Sequence, residues 1–297
     1  MSAPPTDKIT FSRRERVAGY VALTKPRIIE LLLVTTVPTM FVAERSVPSV
    51  WLMVATVVGG TLAAGGANAV NMVIDRDIDG LMERTMHRPL VRGVMSPRAA
   101  LTFAVVIEVV AFAWLFTTVN LLSALLAVSA TFFYVFVYTL WLKRTTTQNI
   151  VIGGAAGAVP VLVGWSAVTN SLGWAPVVLF LVIFFWTPPH FWALAIRYRE
   201  DYSAASVPML PAVATLAATA RKITLYTVML VGTTLVFAPV ADMGAVYVAA
   251  ALILGALFGV LALAVQRDPT ERAAMRLFSY SITYVTLLFA AMIVAVL

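Results

Sequence analysis

The chain contains no cysteine, only two histidines and few charges. Asp, Glu, Lys and Arg together make up 12% of its 297 residues. The lack of cysteine excludes disulfides, thiolate metal sites and a thiol nucleophile. The shortage of charge matters more, because soluble domains carry roughly a quarter charged residues. Here 61% of residues are hydrophobic and the mean hydropathy is +0.93. Such a chain buries its apolar side chains only by using lipid as part of its solvent, which predicts an integral membrane protein. A secretory signal is also lacking: Met1–Tyr20 is polar, carries Arg13, Arg14 and Arg16, and has no apolar core or small-residue cleavage site. It reads as a cytoplasmic tail, with an interfacial helix as the ordered version of that reading.

What the sequence does contain is long apolar runs. About 20 apolar residues in a helix cross a hydrocarbon core. Nine stretches meet that length, near residues 28–45, 50–72, 99–118, 121–142, 149–168, 174–195, 222–241, 244–265 and 277–297. The runs are too long and too uniformly apolar for barrel strands, and backbone groups in lipid must bond within the segment, so helices are expected. Twenty of the 21 Lys and Arg residues fall on one side of these spans, with Arg45 alone on the other. That bias places the N-terminus in the cytoplasm and the C-terminus outside. The net charge of +7 is therefore largely topological, and no nucleic-acid partner is expected. The expected architecture is all-α. Residues 1–27 form a cytoplasmic tail, and residues 28–297 form one transmembrane domain of about nine helices around a cytoplasm-facing cavity.

The two longest loops, 73–98 and 196–222, follow the second and sixth spans, and both lie inside. The first opens with "NMVIDRDIDGLMERTMHRPL", residues 71–90. If the second helix continues past the membrane edge, Asn71, Asp75 and Asp79 are successive i, i+4 positions. Each step turns about 400° and rises about 6 Å, so all three share one face, while Asp77 lies roughly 200° away from Asp75. Like charges on one helix face repel. A divalent cation gives the spacing a physical reason, since two carboxylates and an amide oxygen supply one or two hard ligands per Mg²⁺ and leave the rest to water and phosphate. The plainer alternative is a solvated helix end compensated by Arg76 and Arg84.

This segment resembles the first aspartate-rich motif of the UbiA-type intramembrane prenyltransferases. The resemblance runs from "LTKPR" (23–27) to about residue 211, through "YTLWLKRTTTQNIVIGGAAGAVP" (138–160), "GWSAVTN" (164–170) and "FWTPPHFWALAIRYREDYSAASVPMLP" (185–211). The last stretch is similar to the haem-prenylating branch. The resemblance implies a farnesyl diphosphate donor, haem b as acceptor, Mg²⁺ as cofactor and haem O as product, made in the inner membrane of a bacterium. A haem A synthase or a terminal-oxidase assembly factor would be the downstream partner. It makes Asn71, Asp75 and Asp79 metal residues, with Asp75 and Asp79 catalytic. It gives Arg84 and Arg88 to pyrophosphate or to haem propionates, turns His87 to haem or to solvent, gives Lys25, Arg27, Lys143 and Arg144 to pyrophosphate, and leaves Asn149 to pyrophosphate or a loop carbonyl. The wider family carries a second run of aspartates at four-residue spacing. Here Arg197 and Ala205 flank Asp201 at that spacing, so only Glu200 and Asp201 remain as second metal residues, with Asp201 the better catalytic candidate.

His190 follows the pair Pro188–Pro189, expected to interrupt the sixth helix and free backbone carbonyls. It can bind haem iron, place a propionate or hold a freed carbonyl. Two loop-proximal histidines argue against a stable bis-His haem for electron transfer. Glu108, near the middle of the third span, is costly in lipid, which makes it either a functional group or a protonated side chain bonded to a neighbour. The rival readings are prenyl transfer to another acceptor, such as a quinone precursor, a membrane transporter, or a passive haem scaffold. Transporter sites usually lie at the midplane, whereas the polar residues here gather on one side.

Overall fold

The computed structural model describes residues 11–297, except the side chains of residues 27–33; Arg27 and Glu30 therefore lie outside the described side chains. A short helix α1 (Arg13–Leu23) comes first, closed by a capping box between Ser12 and Glu15. It exposes Val17 and Val21 on one side. On the other, Gly19 presses so closely on Met95 and Val94 that an added Cβ would lie 2.7 Å from Met95 Cε. The long helices follow: α2 (Pro26–Glu44), α3 (Val50–Ile74), α5 (Pro97–Thr118), α6 (Leu121–Phe132), α8 (Asn149–Thr169), α9 (Trp174–Arg197), α12 (Leu216–Val240), α13 (Ala245–Arg267) and α14 (Glu271–Val296). Short helices α4 (Arg76–Asp79), α7 (Lys143–Thr145), α10 (Arg199–Ala204) and α11 (Leu210–Val213) lie between them. Eight helices among the described residues are long and apolar enough to cross a membrane, and α2 makes a ninth long helix.

Each long helix packs on the next, and α14 packs back on α2, so the nine form a closed ring; α2 also contacts α8, and α9 contacts α14, across it. The turns that enforce this order are local. Ser96, Asn120, Thr215 and Thr270 each cap a helix with a side-chain oxygen on the backbone three residues on. Asn120 also donates to Ser166 O at 2.8 Å, which pins the α5–α6 turn to α8. Close helix approach depends on glycine at Gly164, where a Cβ would stand 2.6 Å from the backbone oxygen of Thr36 on α2. Two regions of core result. One is a large apolar cluster of α9, α12, α13 and α14, including Trp186, Trp192, Phe237, Phe258 and Phe289. The other is a set of small clusters around α3 and α5.

Three expectations need correction. The sixth span is not interrupted: α9 runs continuously through Pro188 and Pro189. A proline removes one intrahelical bond and leaves the neighbouring turns intact, and packed membrane helices tolerate that loss. The seventh and ninth spans begin earlier than hydropathy placed them, at Leu216 and Glu271, because basic turns carrying Arg221, Lys222, Arg272 and Arg276 extend the helices beyond their apolar run. The fourth span is not a uniform α-helix: residues Phe133–Leu142 form a π-helix between α6 and α7.

Candidate active site

The site is built where α3 ends. Asp75 is the C-cap of α3, yet the i→i+4 bonding continues, from Asp75 N to Asn71 O at 2.9 Å and from Asp79 N to Asp75 O at 2.8 Å. The three ladder positions therefore stay in helical register, and all three side chains are buried. Asn71 Nδ2 donates to Asp75 Oδ2 at 2.8 Å and to Thr139 Oγ1 at 3.1 Å.

A basic side chain stands over each rung. Lys25 Nζ donates to Asn71 Oδ1 at 2.7 Å. Lys143 pairs with Asp75 Oδ2. Arg88 Nη1 donates to Asp79 Oδ2 at 2.6 Å. Lys25 occupies the left-handed region, φ 51°, a strained conformation for a residue with a Cβ. Its ammonium, just ahead of α2, is pulled down to about 7 by burial and by neighbouring Arg88 and Lys143, against the pull of Asp75 and Asp79. Three basic side chains, Lys25, Arg88 and Lys143, thus face the two carboxylates of the ladder.

Arg144 turns to Asp77, the carboxylate that points off the ladder. It grips both oxygens at 2.7 Å and reaches Ile74 O at 3.1 Å. The Arg144 guanidinium holds the Asp77 carboxyl down at about 2. Arg144 also comes within 3.6 Å of Asp75 Oδ1. That oxygen is buried and accepts no hydrogen bond.

The second loop meets the first. Arg84 N donates to Asp201 Oδ2 at 3.3 Å, and the Arg84 guanidinium lies 5.6 Å from the centre of the Tyr198 ring. Burial pushes the Tyr202 phenol up, against the opposing pull of the Arg84 and Arg88 charges. Other sequence candidates sit apart. Glu200 and His87 are exposed. Asn149 is buried at the start of α8, with Nδ2 3.4 Å from Pro208 O and Oδ1 unpaired. His190 lies in the α9–α14 seam, stacked between Trp186 and Phe278, with Nδ1 2.6 Å from Ser281 Oγ. Glu108 accepts from Thr131 Oγ1 at 3.0 Å and packs on Gly66.

Sequence reasoning missed the aromatic floor. Tyr134 and Tyr138 stack 5.4 Å apart on the π-helix, and Gly153 gives Tyr138 room: a Cβ there would come 2.3 Å from its ring. Thr139 links this floor to the ladder and donates to Tyr134 O at 2.8 Å. The i, i+4, i+5 spacing of Tyr134, Tyr138 and Thr139, just before Lys143, was the available signal. π-helical turns often mark functional positions.

A face of hard oxygens, each matched by a cation, at one end of a ring of membrane helices defines the class. The chain belongs to the UbiA prenyltransferase family, whose sequence pattern matches residues 32–293. Among its relatives, the protoheme IX farnesyltransferase of Parafrankia sp. (strain EAN1pec) is 54% identical over 286 residues, covering 95% of this chain and 91% of that one. The protoheme IX farnesyltransferase of Frankia casuarinae is 56% identical over 288 residues, covering 95% and 99%. The fold matches a solved digeranylgeranylglyceryl phosphate synthase with a TM-score of 0.77, at 16% identity over 95% of this chain and 99% of that one. It also matches a UbiA homologue from Archaeoglobus fulgidus bound to DMAPP and Mg²⁺, with a TM-score of 0.65, at 15% identity over 92% and 98%.

Proposed function

We propose that this chain transfers the farnesyl group of farnesyl diphosphate to a vinyl group of haem b, with addition of water, and so makes haem O. The relatives support the reaction and its acceptor, since proteins more than half identical along nearly the whole chain carry that activity in their names. The single observation that carries the chemistry is the cation-matched ladder of Asn71, Asp75 and Asp79.

The allylic C–O bond breaks and pyrophosphate leaves with the electron pair. The farnesyl carbon bonds to the terminal vinyl carbon, water adds to the carbon beside the porphyrin, and that water loses one proton. No redox step is needed. The demand on the protein is to stabilise the leaving negative charge.

Lys25, Arg88 and Lys143 suit this demand. Each is held by a ladder residue, and the excess of positive charge among them favours a diphosphate entering between. Arg144 has a second task. Gripping Asp77, it fixes the end of π-helix and α7 against α4, and so keeps Lys143 beside Asp75. Among the described residues no three carboxylates or imidazoles converge on one point. Mg²⁺ does not require that: it is commonly held by one or two carboxylates together with substrate phosphates. Asp75 Oδ1, buried without a hydrogen bond, together with Asp79 and Asn71, fits such an ion, and Asp201 would serve from the second loop. When bound, Mg²⁺ supplies Lewis-acid stabilisation of the departing pyrophosphate.

Tyr134 and Tyr138 offer aromatic faces that stabilise a developing allylic cation. In His190, Nδ1 is engaged by Ser281. That leaves Nε2 as the nitrogen that would be offered to haem iron, the usual arrangement of a ligating histidine oriented by a partner. By the distribution of basic residues the ladder end faces the cytoplasm and the C-terminus lies outside, in the inner membrane of a bacterium.

The test is to incubate purified protein with haem b, farnesyl diphosphate and Mg²⁺ and look for the mass of haem O. A product of another mass, or none, overturns the reading; a transporter would yield no new mass.

A further inference from the structure

A second basic site stands away from the ladder. Where α9 ends and α14 begins, a cavity of about 780 Å³ is lined by Arg197, Arg272, Arg276 and Ser279, with Leu261 of α13 and Met275 as its apolar wall. Glu271 also lines it and pairs with Arg197 Nε at 3.3 Å. Arg272 and Arg276 are i, i+4 neighbours on one face of α14, both exposed, and neither forms an ion pair among the described residues. The cavity therefore holds uncompensated positive charge.

Its surroundings say what kind of molecule fits. Below the arginines, the outer face of α13 and α14 continues as bare apolar surface: Leu257, Val260 and Ile282 are each more than 40% exposed. An occupant needs an anionic head at the depth of the arginines and an apolar body running along that face. Guanidinium forks suit phosphate oxygens, and basic pockets between membrane helices on the cytoplasmic side bind anionic lipid head groups. We propose that this cavity is a binding site for an anionic phospholipid, its phosphate held by Arg272 and Arg276 and its acyl chain lying along α13. Arg197, tied to Glu271, closes the rim. The same two helices carry His190 and Ser281, so a bound lipid braces the seam that holds them. The proposal is independent of the reaction assigned above, because it is read from lipid binding alone.

Charge bias alone puts basic residues at this side of the membrane, so the test compares two basic pairs. The full chain in detergent is titrated with phosphatidylglycerol or phosphatidylcholine, and bound lipid is counted by native mass spectrometry. The variants are Arg272→Gln/Arg276→Gln and, as a control on α12 outside the cavity, Arg221→Gln/Lys222→Gln. All four side chains lie at the polar helix ends, and retained helical circular dichroism checks folding. Expected is one tightly held phosphatidylglycerol in the unaltered chain, preferred over phosphatidylcholine. The α14 pair should weaken it roughly thirtyfold, and the α12 pair less than twofold. Equal weakening by both pairs, no weakening by the α14 pair, or equal binding of the two lipids would overturn the site.

Discussion

The ladder at the end of α3 and the His190 seam between α9 and α14 are built on opposite principles. In the ladder, Asn71, Asp75 and Asp79 each face a cation, and Asp75 Oδ1 remains without a hydrogen bond. In the seam, a buried imidazole is stacked between Trp186 and Phe278 and bonded to one hydroxyl, with no ion-pair partner among the described residues. The first arrangement is electrostatically unfinished and is suited to exchange its internal ion pairs for those of an anionic donor. The second is a fixed, low-dielectric arrangement in which both faces of the imidazole are already covered by aromatic rings. The fold keeps the two on different helices.

Substitutions should separate the two. The largest effect is expected for Asp75→Asn, which removes the buried charge at the centre of the ladder. Turnover should fall roughly 10³-fold or more, with haem affinity and helical circular dichroism unchanged; a near-normal rate would remove Asp75 from the chemistry. Lys143→Met comes next. It removes one of the two cations paired with Asp75, so Mn²⁺ should bind more tightly without diphosphate, while turnover drops roughly a hundredfold for loss of a positive charge facing the leaving group. Weaker Mn²⁺ binding in that variant would mean that Lys143 does not compete for the ladder.

His190→Ala probes the other region. Haem affinity should weaken roughly tenfold, and Ser281→Ala should weaken it less, through loss of ring orientation. Binding of farnesyl diphosphate should not change. Unchanged haem affinity in both variants would make the seam purely structural. The smallest effect belongs to Asp77→Asn. Asp77 and Arg144 are both substantially solvent-exposed, so their pair stabilises by only on the order of 0.5 kcal/mol. Because Arg144 lowers the Asp77 carboxyl to about 2, that stability is fully present above the ordinary carboxylate range. It is lost as pH falls through about 2. Thermal melts of variant and unaltered chain should therefore differ slightly at pH 7 and converge toward pH 2.

Much of this was legible in the sequence, for identifiable reasons. The spans follow from run length because lipid imposes a minimum apolar length. The ladder follows from i, i+4 spacing because helical register survives the end of α3. Other features were not legible. Pro188 and Pro189 suggested a break, but the loss of single bonds is absorbed by packing, and the local sequence does not reveal that. The pairing of cations with carboxylates depends on where three separate segments meet. Thus the Arg144–Asp77 contact joins residues 67 positions apart and could not be read from local spacing. The π-helix of Phe133–Leu142 has the composition of any apolar helix, so its tyrosine floor was invisible to hydropathy.

Electron paramagnetic resonance of Mn²⁺, added with a non-hydrolysable farnesyl thiodiphosphate, asks most directly whether the ladder holds the diphosphate. The account predicts one bound Mn²⁺ whose signal depends on the analogue in the unaltered chain, is lost in Asp75→Asn, and persists in His190→Ala. An analogue-dependent signal of equal strength in Asp75→Asn would contradict it.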